Sequence, residues 1–66
     1  MKKISQRLKD YRLDHNLNQY DMARTLHVSV TTYNHLENGH TALTTKTVAK
    51  IANLLQIDVK KVRRCL

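Results

Sequence analysis

Sixty-six residues carrying twelve Lys and Arg against five Asp and Glu, a formal net charge of +7, make a single domain over residues 1–66 whose partner is expected to be anionic. A chain this short buries a small fraction of its surface. One cysteine excludes a disulfide framework, and no Cys/His pair has finger-like spacing for zinc, so no metal or cofactor is expected. Stability therefore has to come from well-packed helices, with a dimer partner as a further source. No apolar run approaches the roughly 20 residues of a membrane helix. The basic start, Met1-Lys2-Lys3-Ile4-Ser5-Gln6-Arg7, turns amphipathic without the apolar stretch of a signal peptide, and a cytoplasmic location is expected. Charge alone leaves nucleic acid, a membrane surface and an acidic protein all open as partners.

No proline, one glycine and the absence of alternating strand patterns point to an all-α fold. The first helix is predicted over Ile4–Asp14, with Ile4, Leu8 and Tyr11 on one face and His15-Asn16 at its end. Leu17 follows as an apolar plug. A second, two-turn helix begins at Gln19, capped by Asn18 with Asp21 completing a capping box, and turns Met22, Ala23 and Leu26 inward. After only His27-Val28, Ser29 caps a third helix that runs to about Asn38 before Gly39. Its buried side carries Tyr33, Leu36 and the stem of Glu37. Its other side carries Thr31, Asn34, His35 and Asn38, all of them hydrogen-bonding groups. The fourth helix starts at Thr44 or Thr45 and ends at Leu55, with Val48, Ile51, Ala52 and Leu55 in register. The fifth runs from Asp58 as cap to about Arg64, with Val59 and Val62 inward and Lys60, Lys61, Arg63 and Arg64 outward. That basic row is either a solvated face or a phosphate contact.

Two short helices joined by a tight turn, the second buried on one side and polar on the other, suit the reading of DNA. The major groove admits one helix whose outward side chains reach base edges, while the preceding helix crosses behind it. Ala23 is small enough for that crossing, and Val28 would plug the angle. Catalysis has no comparable support, because no triad, carboxylate pair or phosphate-binding glycine loop appears. The four histidines suit no common metal site.

The combination Arg12, Leu17-Asn18-Gln19, Met22-Ala23, Leu26, Val28-Ser29, Tyr33, Leu36-Glu37-Asn38-Gly39, Ile51-Ala52 and Leu55 resembles the Cro/CI-type, or XRE, helix-turn-helix family over about residues 4–60. The resemblance implies a compact five-helix, lambda-repressor-like domain whose helix-turn-helix unit spans residues 19–38. It implies that Val30, Thr31, Asn34 and His35 face bases. It likewise implies that Gln19, Ser29, Thr32, Asn38, His40 and Thr41 approach phosphates, and that Arg12 and Glu37 form a buried salt bridge. Val30 would meet a thymine methyl or merely open the helix; His35 would donate to guanine or phosphate or stay solvated. Relatives place glycine where this chain has His27 and Gln56, and commonly proline where it has Leu43, so a strained or adjusted turn is expected at His27 and the rigidity of the loop at Leu43 is left open.

The implied function is a prokaryotic or phage transcriptional regulator, repressor-like, that binds an inverted-repeat operator as a homodimer. Cys65, Val62, Leu66 and the surface of the last two helices are candidates for the dimer seam. The alternatives are an antitoxin, or another interaction module whose main partner is a protein.

Overall fold

Capping groups set the boundaries of the helices. The computed structural model describes residues 3–39 and 43–65, and within them the chain forms α1 (Ile4–Asp14), α2 (Gln19–Thr25), α3 (Val30–Asn38), α4 (Thr45–Leu55) and α5 (Val59–Arg64), with no strand. Asn18 accepts from the Asp21 backbone N–H at 2.8 Å, and the Asp21 carboxylate accepts from the Asn18 N–H at 3.2 Å, closing the anticipated capping box. Ser29 accepts from Thr32 N–H, Thr44 from Thr47 N–H and Asp58 from Lys60 N–H. Thr44 is thus the cap of α4 and Thr45 its first helical residue. Only α1 lacks a side-chain cap; its Ile4 N–H donates to the Cys65 carbonyl, so the end of α5 closes the start of α1.

Three helix exits repeat one geometry. After α1, α2 and α4 the chain passes through Asn16, His27 and Gln56, at φ 54°, 56° and 56°, all left-handed. Each of these residues donates its N–H three residues back, to Leu13, Arg24 and Asn53 respectively. The residue after each donates five back: Leu17 to Arg12, Val28 to Ala23, Ile57 to Ala52. These are Schellman-type closures, in which the residue after the left-handed position brings an apolar side chain onto the helix it has just left. Leu17, Val28 and Ile57 all pack against the core. Glycine is absent from all three turns because the apolar plug and the two backbone bonds hold the left-handed residue in place. Lys50 from α4 also reaches the His27 carbonyl, at 3.5 Å. Only α3 ends on glycine, Gly39 at φ 72°.

The core joins Ile4 and Leu8 of α1, Met22, Ala23 and Leu26 from α2 and its exit, Tyr33 and Leu36 of α3, Val48, Ile51 and Ala52 of α4, and Val62 and Cys65 at the end of the chain. Tyr11, Leu43 and Leu55 are partly buried against it. α3 lies against both α1 and α2, while α4 packs on α5.

Two sequence expectations need correction. Val59, read as inward, is 40% exposed. Val62 and Cys65, read as candidates for a dimer seam, are 0% and 3% exposed within the single chain. They fill the gap between α5 and the rest of the core and have no surface to offer a partner. Leu66, the remaining named seam residue, lies outside the described residues.

His27→Gly should stabilise the protein by about 0.5–1 kcal/mol, because glycine enters the left-handed region without a Cβ penalty but loses more backbone entropy on folding. Gly39→Ala should destabilise it by about 1 kcal/mol through strain alone, since an added Cβ would meet nothing closer than the Ser5 hydroxyl at 4.0 Å. Thermal melts of the two variants should therefore move in opposite directions. A lowered melting temperature for His27→Gly would show that the histidine contributes more by its contacts than it costs by its backbone.

Candidate nucleic-acid interface

α3 presents a mixed outer face. Val30 is 42% exposed at its first turn, one of several large apolar side chains left outside the core. Thr31, His35 and Asn38 are exposed beside it, while Thr32 and Asn34 are half-buried. Tyr33 and Leu36 point the opposite way, into the core. At the N-terminus of α3 the Ser29 hydroxyl donates to Thr32 Oγ1 at 2.9 Å while accepting the Thr32 N–H at 3.1 Å. Both hydroxyls anticipated to approach phosphate are thus held together at one helix end. His40 and Thr41, also read as phosphate contacts, lie outside the described residues.

Orientation of this face depends on Arg12 and Glu37. Arg12 Nε lies 2.6 Å from Glu37 Oε2 and Nη2 lies 3.4 Å from Oε1, a two-point pairing of guanidinium and carboxylate. Their side chains are 15% and 5% exposed. Arg12 Nη1 also donates to the Leu17 carbonyl at 3.2 Å. One guanidinium therefore joins α1, the turn into α2, and α3. Burial by itself pushes the Glu37 carboxyl up, but hydrogen bonding from Arg12 and Gln19, the nearby Tyr33 hydroxyl and the Arg12 charge outweigh it and leave the carboxyl below its ordinary value. The same bond raises Arg12 against its own desolvation. Burial, then the adjacent Glu37, keeps the Tyr33 hydroxyl protonated well above its ordinary range. That hydroxyl sits beside the carboxylate without meeting hydrogen-bond geometry, and has no partner among the described residues.

A row of carboxamides runs outward from the ion pair. Gln19 Nε2 donates to Glu37 Oε1 at 3.3 Å, Asn34 Nδ2 donates to Gln19 Oε1 at 3.2 Å, and Asn38 Nδ2 donates to Asn34 Oδ1 at 3.1 Å. The structure thus brings together Gln19, Asn34, Asn38, Arg12 and Glu37, five of the residues singled out in the sequence. Val30, Thr31 and His35 stand outside the row. The link from Gln19 to Asn34 and Glu37 was not read from the sequence; spacings of 15 and 18 residues between helices carry no periodic signal. Tyr20, 60% exposed on α2 with the Arg24 guanidinium 6.0 Å from its ring centre, was given no role either, although its position off the Met22–Ala23–Leu26 face marks it as outward. Among the described residues no group of three His, Cys, Asp or Glu could hold a metal ion, and no helix is long and apolar enough to cross a membrane.

Comparison with known proteins agrees with this geometry. A family model described as helix-turn-helix matches residues 8–62. The chain is 38% identical over 58 residues to the ImmF control region 10 kDa protein of Bacillus phage phi105, an alignment covering 88% of this chain and 64% of that protein. The chain thus spans somewhat less than two thirds of its curated relative. No solved structure gives a significant match.

Arg12→Ala should cost about 3 kcal/mol at neutral pH, toward the lower end for a broken buried pair because Arg12 keeps some exposure. Glu37 has a lowered pKa in the folded chain, so the stability it contributes is whole above the ordinary carboxylate value and is lost as pH falls through the depressed one. The gap between wild type and Arg12→Ala in urea unfolding should therefore narrow as pH is lowered through the acid range. A gap that stays constant from pH 7 to pH 3 would show that the ion pair does not supply it.

Proposed function

Because the chain belongs to the helix-turn-helix family, we propose that it is a transcriptional regulator that binds double-stranded DNA, reading sequence with α3 in the major groove. The observation that carries this reading is the two-sided α3. Its Tyr33–Leu36 side is locked into the core and its Glu37 into an ion pair, so that Val30, Thr31 and His35 are held outward on a rigid support. Rigid presentation matters because base recognition needs side chains placed to within hydrogen-bond tolerance of fixed base edges. The formal +7 charge supports a polyanionic partner, since Lys and Arg contacts to phosphate release condensed counterions. The name of the phage relative, a control-region protein, supports a regulatory role of phage or prokaryotic type, and such a regulator would act in the cytoplasm, where the DNA lies.

Within this reading Val30, Thr31, Asn34 and His35 face base edges. Val30 offers an apolar contact to a thymine methyl and His35 a donor to guanine. Gln19, Ser29, Thr32, Asn38 and the loop residues His40 and Thr41 approach phosphates. One such helix reads few base pairs, so the active species is a homodimer on an inverted repeat, its half-sites roughly 34 Å apart or a multiple of it. With Val62 and Cys65 buried inside the protomer, one exposed part of the α4–α5 surface that could serve as the seam is the shallow groove edged by Ala49, Asn53, Gln56, Ile57 and Val59.

Thr31→Ala and His35→Ala should each relax base preference at one position of a bound site by about fivefold to a hundredfold while leaving thermal stability unchanged. Gln19→Ala should weaken binding to all sequences, with any change in base preference confined to the position that Asn34 meets. Selection from a random duplex library, followed by titration at two salt concentrations, measures both. Uniform loss of affinity in the α3 variants, or binding indifferent to salt, would overturn the proposal.

A further inference from the structure

A phosphate diester is negatively charged and only accepts hydrogen bonds, so a helix that lies along the DNA backbone must bring donors to it. In a helix-turn-helix the first helix crosses the backbone while the second enters the groove. Here the start of α2 is tied to α3, because Asn34 donates to the Gln19 carboxamide at 3.2 Å and Gln19 to Glu37 at 3.3 Å. A duplex seated on the outer face of α3 therefore passes the first turn of α2.

α2 turns Met22 and Ala23 into the core and leaves Tyr20, Asp21, Arg24 and Thr25 outside it. At about 100° per residue these form two flanks, Tyr20 with Arg24 and Asp21 with Thr25. The flanks differ in what they offer an anion. The Asp21 carboxylate has no donor, repels phosphate and already accepts the Asn18 N–H. The single O–H of Thr25 is spent on the Asp21 carbonyl at 2.9 Å. On the other flank Tyr20 is 60% exposed and Arg24 is exposed. Neither the Tyr20 hydroxyl nor the Arg24 guanidinium makes a hydrogen bond or an ion pair among the described residues. This flank keeps an O–H and a whole guanidinium fork of N–H donors unspent.

The pair is also set in position. The Arg24 guanidinium carbon lies 6.0 Å from the Tyr20 ring centre, so the side chain folds back over the ring toward the start of α2. That end carries Gln19, itself proposed to approach a phosphate. A guanidinium already held on a ring gives up less freedom on meeting an anion than one moving freely in water.

We propose that Tyr20 and Arg24 form a further contact to the DNA backbone on the outer flank of α2. Arg24 binds one phosphate through charge-assisted N–H bonds, while Tyr20 positions the guanidinium with its ring and donates its hydroxyl to the same strand. The contact adds affinity and register without base preference. An acidic protein segment would meet the same donors; DNA is favoured because the flank continues from Gln19, beside the duplex that α3 reads. The inference rests on the DNA-binding reading above and adds to it a site on α2.

The test combines Arg24→Gln and Tyr20→Phe with duplexes in which one phosphate at a time is replaced by an uncharged methylphosphonate. Both residues are exposed, so thermal melts of the variants should match the wild type. For the wild type, neutralising one phosphate at the edge of the site should weaken binding about tenfold, and for Arg24→Gln the same replacement should cost nothing further. Arg24→Gln should also lower the slope of log affinity against log salt by about 0.9, the value of one phosphate contact, with base preference in library selection unchanged. Tyr20→Phe keeps the ring and should weaken binding about threefold at an unchanged slope. Methylphosphonate losses that match between wild type and Arg24→Gln at every position, or equal salt slopes, would overturn the proposal and leave the flank to a protein partner. A base preference altered by Arg24→Gln would overturn it by placing that residue in the groove, and Tyr20→Phe binding equal to wild type would overturn the hydroxyl contact. A wild type that binds no duplex would overturn the function proposed above, whereas a wild type and variants that bind alike would overturn the α2 contact alone.

Discussion

The Arg12–Glu37 pair is the contact on which the arrangement of the three leading helices depends. A 66-residue chain has a small core, and α3 can give that core only one side if its other side is to stay outward. Two buried side chains, Tyr33 and Leu36, set which side of the helix meets the core, and a directional polar contact fixes the angle further. Glu37 does this: its carboxylate is held by a guanidinium from α1 at two points, and the same guanidinium reaches the turn before α2. Replacing the pair by apolar groups could keep the stability, because desolvation offsets much of the attraction. It would not keep the direction, since apolar contacts do not prescribe an angle as two charge-assisted hydrogen bonds do.

Direction then propagates from the pair along Gln19, Asn34 and Asn38. A carboxylate that stays ionised because Arg12 outweighs its burial acts as a fixed acceptor, and each amide beyond it inherits an orientation. The pair that fixes the roll of α3 thus also orders the hydrogen-bonding groups along one flank of its outer face.

The turns show how the chain manages with one glycine. Left-handed backbone at Asn16, His27 and Gln56 is tolerated because each turn is closed by two backbone bonds and by an apolar plug that reaches the core. Asparagine takes this conformation more readily than histidine or glutamine, so the strain falls mainly on the exits of α2 and α4. The exit of α2 is the turn that positions α3, and there Lys50 brings a further donor to the His27 carbonyl.

Local signals determined most of what the sequence could say by itself. The caps Asn18, Ser29 and Asp58 placed three helix starts, the fourth being left at Thr44 or Thr45, and the periodicity of Met22–Ala23–Leu26, Tyr33–Leu36 and Val48–Ile51–Ala52 identified the faces that are buried. The buried Arg12–Glu37 bridge entered through family resemblance, since 25 residues separate the two charges and no local rule connects them. Tertiary structure alone decided how residues distant in the chain share their polar atoms and their surface. Val59 had the right period to be buried yet remains exposed, because α5 is only six residues long and packs mainly through Val62. Cys65, past the last helix, fills the core because its backbone carbonyl closes the start of α1. The direction of the row from Glu37 to Asn38 depends on three helices converging on one carboxylate. Periodicity reports which side of a helix meets the core, but not which atom on a neighbouring helix completes a hydrogen bond.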